Sequence, residues 1–139
     1  MSKVLRSGSW AVAVALAGIG SVAWAAETVT LSGSNEVPPV TTSASGSANV
    51  TVGADGAVKA TVTVKDMKAT ASHIHDGAAG TDGPVIVPLT KTGDNTFSSA
   101  DGAKLTDAQM KAYKAGNLYV NVHSDKNAGG EIRGQLKGG

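Results

Sequence analysis

The chain has 139 residues, with twelve lysines and arginines against eleven acidic residues, three histidines and no cysteine. A charge this balanced gives no electrostatic footprint for nucleic acid or an anionic membrane surface. The absence of cysteine excludes disulfides, cysteine-ligated zinc and iron–sulfur clusters.

The first 25 residues read as a secretory signal peptide. Lys3 and Arg6 precede an apolar run from Trp10 to Gly20, too short to span a bilayer, and the small residues Ala23 and Ala25 fit a signal-peptidase site. Cleavage after Ala25 leaves 26–139 as one domain with ten basic and eleven acidic residues. No cysteine stands near the cut to carry a lipid, so the expected location is periplasmic or secreted, with no membrane attachment after cleavage. Both tryptophans leave with the signal, leaving Phe97, Tyr113 and Tyr119 as the aromatics, so the core must be mostly Val, Ile, Leu and Ala.

Along the rest of the chain, short stretches alternate apolar and polar residues between Gly, Asp and Asn clusters, the pattern of antiparallel strands and tight turns. Strands are expected at Thr28–Ser32, Ser47–Val52, Ala57–Lys65, Thr70–His75, Val85–Leu89, Asn95–Ser99, Asn117–His123 and Gly130–Leu136. Between the second and third, Gly53-Ala54-Asp55-Gly56 supplies residues that tolerate positive φ, so the pair forms a hairpin. The prolines of Val37-Pro38-Pro39-Val40 remove ladder donors, which makes that stretch a loop or an edge. Thr106-Asp107-Ala108-Gln109 is a capping box, and Gly116 offers a left-handed C-cap, so a short helix spans residues 107–115. Eight strands and one short helix predict an all-β antiparallel fold, a sandwich or a Greek-key barrel. An unpaired sheet edge would leave a homodimer open.

The histidines fall in two segments, Ser72-His73-Ile74-His75-Asp76-Gly77 and Asn121-Val122-His123-Ser124-Asp125. On a strand, His73 and His75 point to one face, and His123 on a neighbouring strand would complete a three-nitrogen set suited to copper or zinc. Asp76, Asp82 or Asp125 could add an oxygen ligand. The plainer alternative makes these histidines solvent-facing strand residues bonded to backbone or water. No residue is assigned a catalytic role: no G-x-S-x-G elbow is present, Asp76 and Asp82 in Gly-rich turns read as turn formers, and the segment 76–84 lacks EF-hand spacing. Arg133 and Glu131, on one face of the last strand, read as a structural charge network behind the metal ligands.

Three stretches, LSGSNEVPPV, HIHDGAAGTDGPVIVPL and AGNLYVNVHSDKNAGGEIRGQL, resemble the signature segments of chordin-type (CHRD) domains. That resemblance implies an immunoglobulin-like or superoxide-dismutase-like Greek-key β-sandwich over residues 26–139. In animals such domains occur within secreted growth-factor antagonists, so it also implies a protein-interaction module. HIHDG is similar to the segment supplying two copper ligands in copper-zinc superoxide dismutases, and Val120-Asn121-Val122-His123 resembles the strand carrying another. The turn Asn127-Ala128-Gly129-Gly130 is similar to the one ahead of that enzyme's active-site arginine. This second resemblance implies His73, His75 and His123 as copper ligands and a dismutase-like redox enzyme. The bridging histidine, zinc loop and disulfide of those enzymes have no counterpart, and Glu131 stands where the arginine falls by direct count, with Arg133 two residues on. The reading that joins these observations is a non-enzymatic domain that binds copper, or zinc, for storage, buffering or delivery.

Overall fold

The computed structural model describes residues 24–138; the expected signal peptide lies outside the described residues except for Trp24 and Ala25. Eight strands follow in order: β1 (Trp24–Ser32), β2 (Ser45–Gly53), β3 (Val58–Lys65), β4 (Ala69–Asp76), β5 (Val85–Gly93), β6 (Thr96–Ser99), β7 (Leu118–Ser124) and β8 (Ile132–Gln135). One α-helix among the described residues, α1 (Asp107–Lys114), precedes β7. β1 begins two residues before the expected cleavage point, and its ladder from Ala26 to Ser32 lies entirely beyond it.

Local chemistry explains the elements. The β2–β3 hairpin closes with Gly53 N–H donating to Ala57 O and Gly56 N–H to Gly53 O, while Gly56 takes φ +91°. At α1 both arms of the capping box form: Gln109 N–H donates to Thr106 Oγ1 at 3.1 Å and Thr106 N–H to Gln109 Oε1 at 2.9 Å. Gly116, at φ +78°, ends the helix as its N–H reaches Tyr113 O and that of Asn117 reaches Ala112 O, a Schellman closure. Thr106→Ala removes an acceptor from an exposed cap and is expected to cost about 1 kcal/mol in urea unfolding, with the slope unchanged.

Every strand pair is antiparallel, and the hydrogen-bonded order β1-β2-β3-β6-β5-β4-β7-β8 closes on itself as a barrel. The two-sheet sandwich implied by the resemblance is therefore corrected: the ladders β3/β6 and β1/β8 join what would be separate sheets. The β1/β8 seam is thin, with one ladder pair, Ser32 and Arg133, and is extended by the Glu27 carboxylate accepting from the Lys137 and Gly138 amides. Because the described strands close the circle, the free sheet edge expected for dimerisation is not found among them.

Alternation fills the barrel. Val58, Ala60, Val62 and Val64 of β3 point in, as do Ile74 of β4, Phe97 of β6, and Leu118, Val120 and Val122 of β7, all buried. The same alternation turns His73 and His75 of β4, and Tyr119, Asn121 and His123 of β7, to the outer face. Ladder register brings them together: His73 pairs with Asn121, His75 with Tyr119 and Ala71 with His123, while Asn121 pairs on its other side with Arg133 of β8. Tyr119, Asn121 and Arg133 are nonetheless buried. The loop 77–84 covers Tyr119 and Arg133, and Glu36 covers the guanidinium of Arg133 from the loop after β1.

Candidate metal centre

The three histidines form one cluster, with one ring nitrogen from each lying within 4.8 Å of the others. Hydrogen bonds decide which nitrogen each ring offers. His75 Nδ1 lies 2.8 Å from Gly83 O, and His123 Nδ1 lies 2.9 Å from Ala128 O. A carbonyl only accepts, so both Nδ1 atoms carry the proton and both Nε2 atoms keep the lone pair. Among the described residues buried His75 Nε2 has no hydrogen-bond partner, and His123 Nε2 accepts from His73 Nδ1 at 3.0 Å. The nitrogens that could face a shared ion are therefore His75 Nε2, His123 Nε2 and, once its proton moves to Nε2, His73 Nδ1.

Burial lowers the pKa of His73, and the neighbouring His123 and His75 lower it further. Burial likewise lowers that of His123, against the Ala128 hydrogen bond, with His75 and Arg133 adding to the depression. Both rings are thus neutral at pH 7 and available to a metal. In the unfolded chain they return to the ordinary imidazole value of 6.5, so below it the unfolded state binds more protons. The contribution of these two rings to the stability of the metal-free domain is therefore fully present above pH 6.5 and falls as the pH drops through that value towards the lowered folded ones. Thermal melts of metal-free protein at pH 7.5 and 5.5 are expected to show a lower Tm at the acidic pH.

Around the rings, Tyr119 stacks on His75 at 4.7 Å and 3°, and the guanidinium carbon of Arg133 lies 3.9 Å over the Tyr119 ring. Tyr119 Oη accepts from Gly83 N–H at 3.0 Å. Arg133 donates to Glu36 Oε1 at 3.0 Å, to Thr81 O at 2.7 Å and to Asp82 Oδ1 at 2.6 Å. Burial pushes the Glu36 carboxyl up even against the pull of Arg133.

The structure thus brings together the three histidines expected from sequence and places the other named residues elsewhere. Asp82 is committed to Arg133, Asp76 ends β4, and exposed Asp125 lies in the turn after β7; none of the three belongs to the cluster. Arg133 is in a charge network, but its partners are Glu36 and Asp82. Glu131 accepts separately from Thr42 at 2.6 Å and Ser124 at 2.6 Å. The residues missed were Tyr119, Asn121, Gly83 and Glu36. Period-2 spacing from His123 marks Asn121 and Tyr119 as sharing its face; nothing local marks Glu36 or the carbonyl of Gly83. A cleft of about 590 Å³ lies beside the Ala128 turn between Thr42, Asp66 and Asn127, and is not lined by the histidines.

The class of protein defined here is an all-β barrel domain carrying three convergent imidazoles on its outer face, which could hold a metal ion. The CHRD domain family model matches residues 28–136, and the chain belongs to that family. No curated protein and no solved structure gives a match. CHRD domains are in general of the extracellular type, and no helix among the described residues is long and apolar enough to cross a membrane.

Proposed function

We propose that this is an exported copper-binding domain, with zinc as the competing metal, whose ligands are His73 Nδ1, His75 Nε2 and His123 Nε2, and whose role is storage, buffering or delivery of the ion. One observation carries the reading: His75 and His123 each fix their Nδ1 proton on a backbone carbonyl, which leaves two Nε2 lone pairs in a cluster within 4.8 Å that His73 Nδ1 joins once its proton moves to Nε2. A buried imidazole nitrogen without a partner is costly unless something occupies it. Metal–nitrogen bonds of about 2.0–2.1 Å set ligand nitrogens roughly 3.3–4.2 Å apart, so small side-chain rotations close the set. A purely nitrogen set suits copper, the strongest binder among divalent first-row ions.

With no carboxylate in the cluster, the fourth position stays open, and His73 and His123 are only half-buried. Such a site allows an incoming ligand to take the ion during delivery. It also favours a second reading, slow copper redox chemistry, which a dismutation assay on the loaded protein measures.

The test is titration of copper(II) into metal-free 26–139, followed by electron paramagnetic resonance. A one-to-one complex with nitrogen hyperfine structure supports the reading. Weak binding that resists no competitor and is insensitive to histidine substitution returns the histidines to solvent-facing strand residues and directs the search to protein partners.

A further inference from the structure

Resting on that metal-binding reading, we propose that Asp82 is a positioning residue: its ion pair with Arg133 clasps the loop 77–84 so that the Gly83 carbonyl holds His75 in its ligating orientation. His75 donates from Nδ1 to Gly83 O at 2.8 Å, and that bond alone fixes which nitrogen faces the site. Gly83 sits in a loop with no regular structure, so its carbonyl stays in place only if the loop is tied down. Asp82, its neighbour, is bound to Arg133 Nη2 at 2.6 Å, and Thr81 O accepts from Nη1 at 2.7 Å.

Arg133 is itself a rigid anchor. It is 2% exposed, paired across the fold with buried Glu36, and lies over Tyr119, whose hydroxyl holds the Gly83 amide while its ring stacks on His75. The loop also approaches the barrel too closely for any side chain at Gly83, where a Cβ would collide with the Asp76 carbonyl. Hydrogen-bond partners behind a metal ligand fix its ring orientation, and their removal typically weakens metal affinity about 10–100-fold. Asp82 fits that role better than ligation, because its carboxylate oxygen is already committed to the guanidinium.

The Asp82 side chain is 64% exposed, so its removal can be separated from unfolding. Three proteins are compared: the unsubstituted domain, Asp82→Ala and Asp82→Glu. Titration with copper(II) against a chelator gives affinity, and nitrogen-15 spectra of the metal-free protein report the His75 Nδ1–H. For Asp82→Ala the expected results are about tenfold weaker copper binding and loss of the protected His75 Nδ1–H signal, with circular dichroism unchanged. Asp82→Glu restores both in part. Copper affinity and a His75 signal identical to the unsubstituted domain in Asp82→Ala overturn the clasp while leaving the metal site intact. An unsubstituted domain that binds no copper overturns the metal reading itself, whereas the His75 signal still reports whether Asp82 orients the ring. If Asp82→Ala does not fold, Asp82→Leu, of similar size but without an acceptor oxygen, is carried through the same measurements, and unchanged values there overturn the clasp.

Discussion

Replacing His123 with alanine is expected to weaken copper(II) binding by on the order of a hundredfold or more while leaving the barrel folded. In the proposed site His123 is the one ligand from β7, and its Nε2 lies 3.0 Å from His73 Nδ1. Without it, His73 and His75 remain as a pair on one strand, a bidentate site any exposed H-x-H segment could offer. The fold should tolerate the change because His123 is half-buried on the outer face, whereas Val120 and Val122 beside it fill the interior. Stability should change by less than about 1 kcal/mol, since the lost Nδ1 bond to Ala128 O ties down an exposed turn. Competition titration with a chromophoric chelator reads the affinity, and a thermal melt reads the fold. The spectrum should lose nitrogen hyperfine lines in step with the affinity. Unchanged affinity sinks the three-histidine site.

Arg133→Met is expected to be the most damaging single change outside the hydrophobic core, costing about 3–5 kcal/mol at pH 7.5. The guanidinium is 2% exposed and neutralises Glu36, which is 4% exposed. Removing it strands a carboxylate among buried groups, where Glu36 Oε2 already lacks a hydrogen-bond partner. Two loop contacts, to the Thr81 carbonyl and the Asp82 carboxylate, go with it. The deficit also has a pH signature. Burial already raises the Glu36 pKa above its ordinary 4.5, and loss of Arg133 removes the largest of the effects that oppose that rise. A carboxyl whose folded pKa is raised loses stability as the pH climbs through that folded value and regains it below the unfolded one. The variant should therefore recover part of its deficit, relative to the unsubstituted domain at the same pH, between pH 7.5 and 5. Urea unfolding at the two values measures it; a deficit that stays constant means Glu36 remains ionised.

These two substitutions also mark where the sequence speaks and where it does not. His123 is legible because strand alternation and the H-x-H spacing are local: side-chain direction on a strand follows from counting by twos. Arg133 is legible as a charge on a strand, yet its partners are not, because Glu36 and Asp82 lie 97 and 51 residues away along the chain. Nothing near Glu36 in the stretch Gly33-Ser34-Asn35-Glu36-Val37-Pro38 shows that its carboxylate is buried.

The sequence by itself determined what depends on neighbours along the chain: the eight strands to within a few residues, the Gly53–Gly56 hairpin, the Thr106 capping box, the Gly116 helix end, and the outward face shared by His73 and His75. Each follows from backbone preferences and periodicity acting over a handful of residues. Tertiary structure alone decided that the sheet closes, through the ladders β3/β6 and β1/β8, and that the loop 77–84 folds over β7 and β8. It also decided that Gly83 and Ala128 hold the two Nδ1 protons. Pairing between distant segments costs loop-closure entropy that only the assembled core offsets, so those choices belong to the whole barrel rather than to any stretch of it.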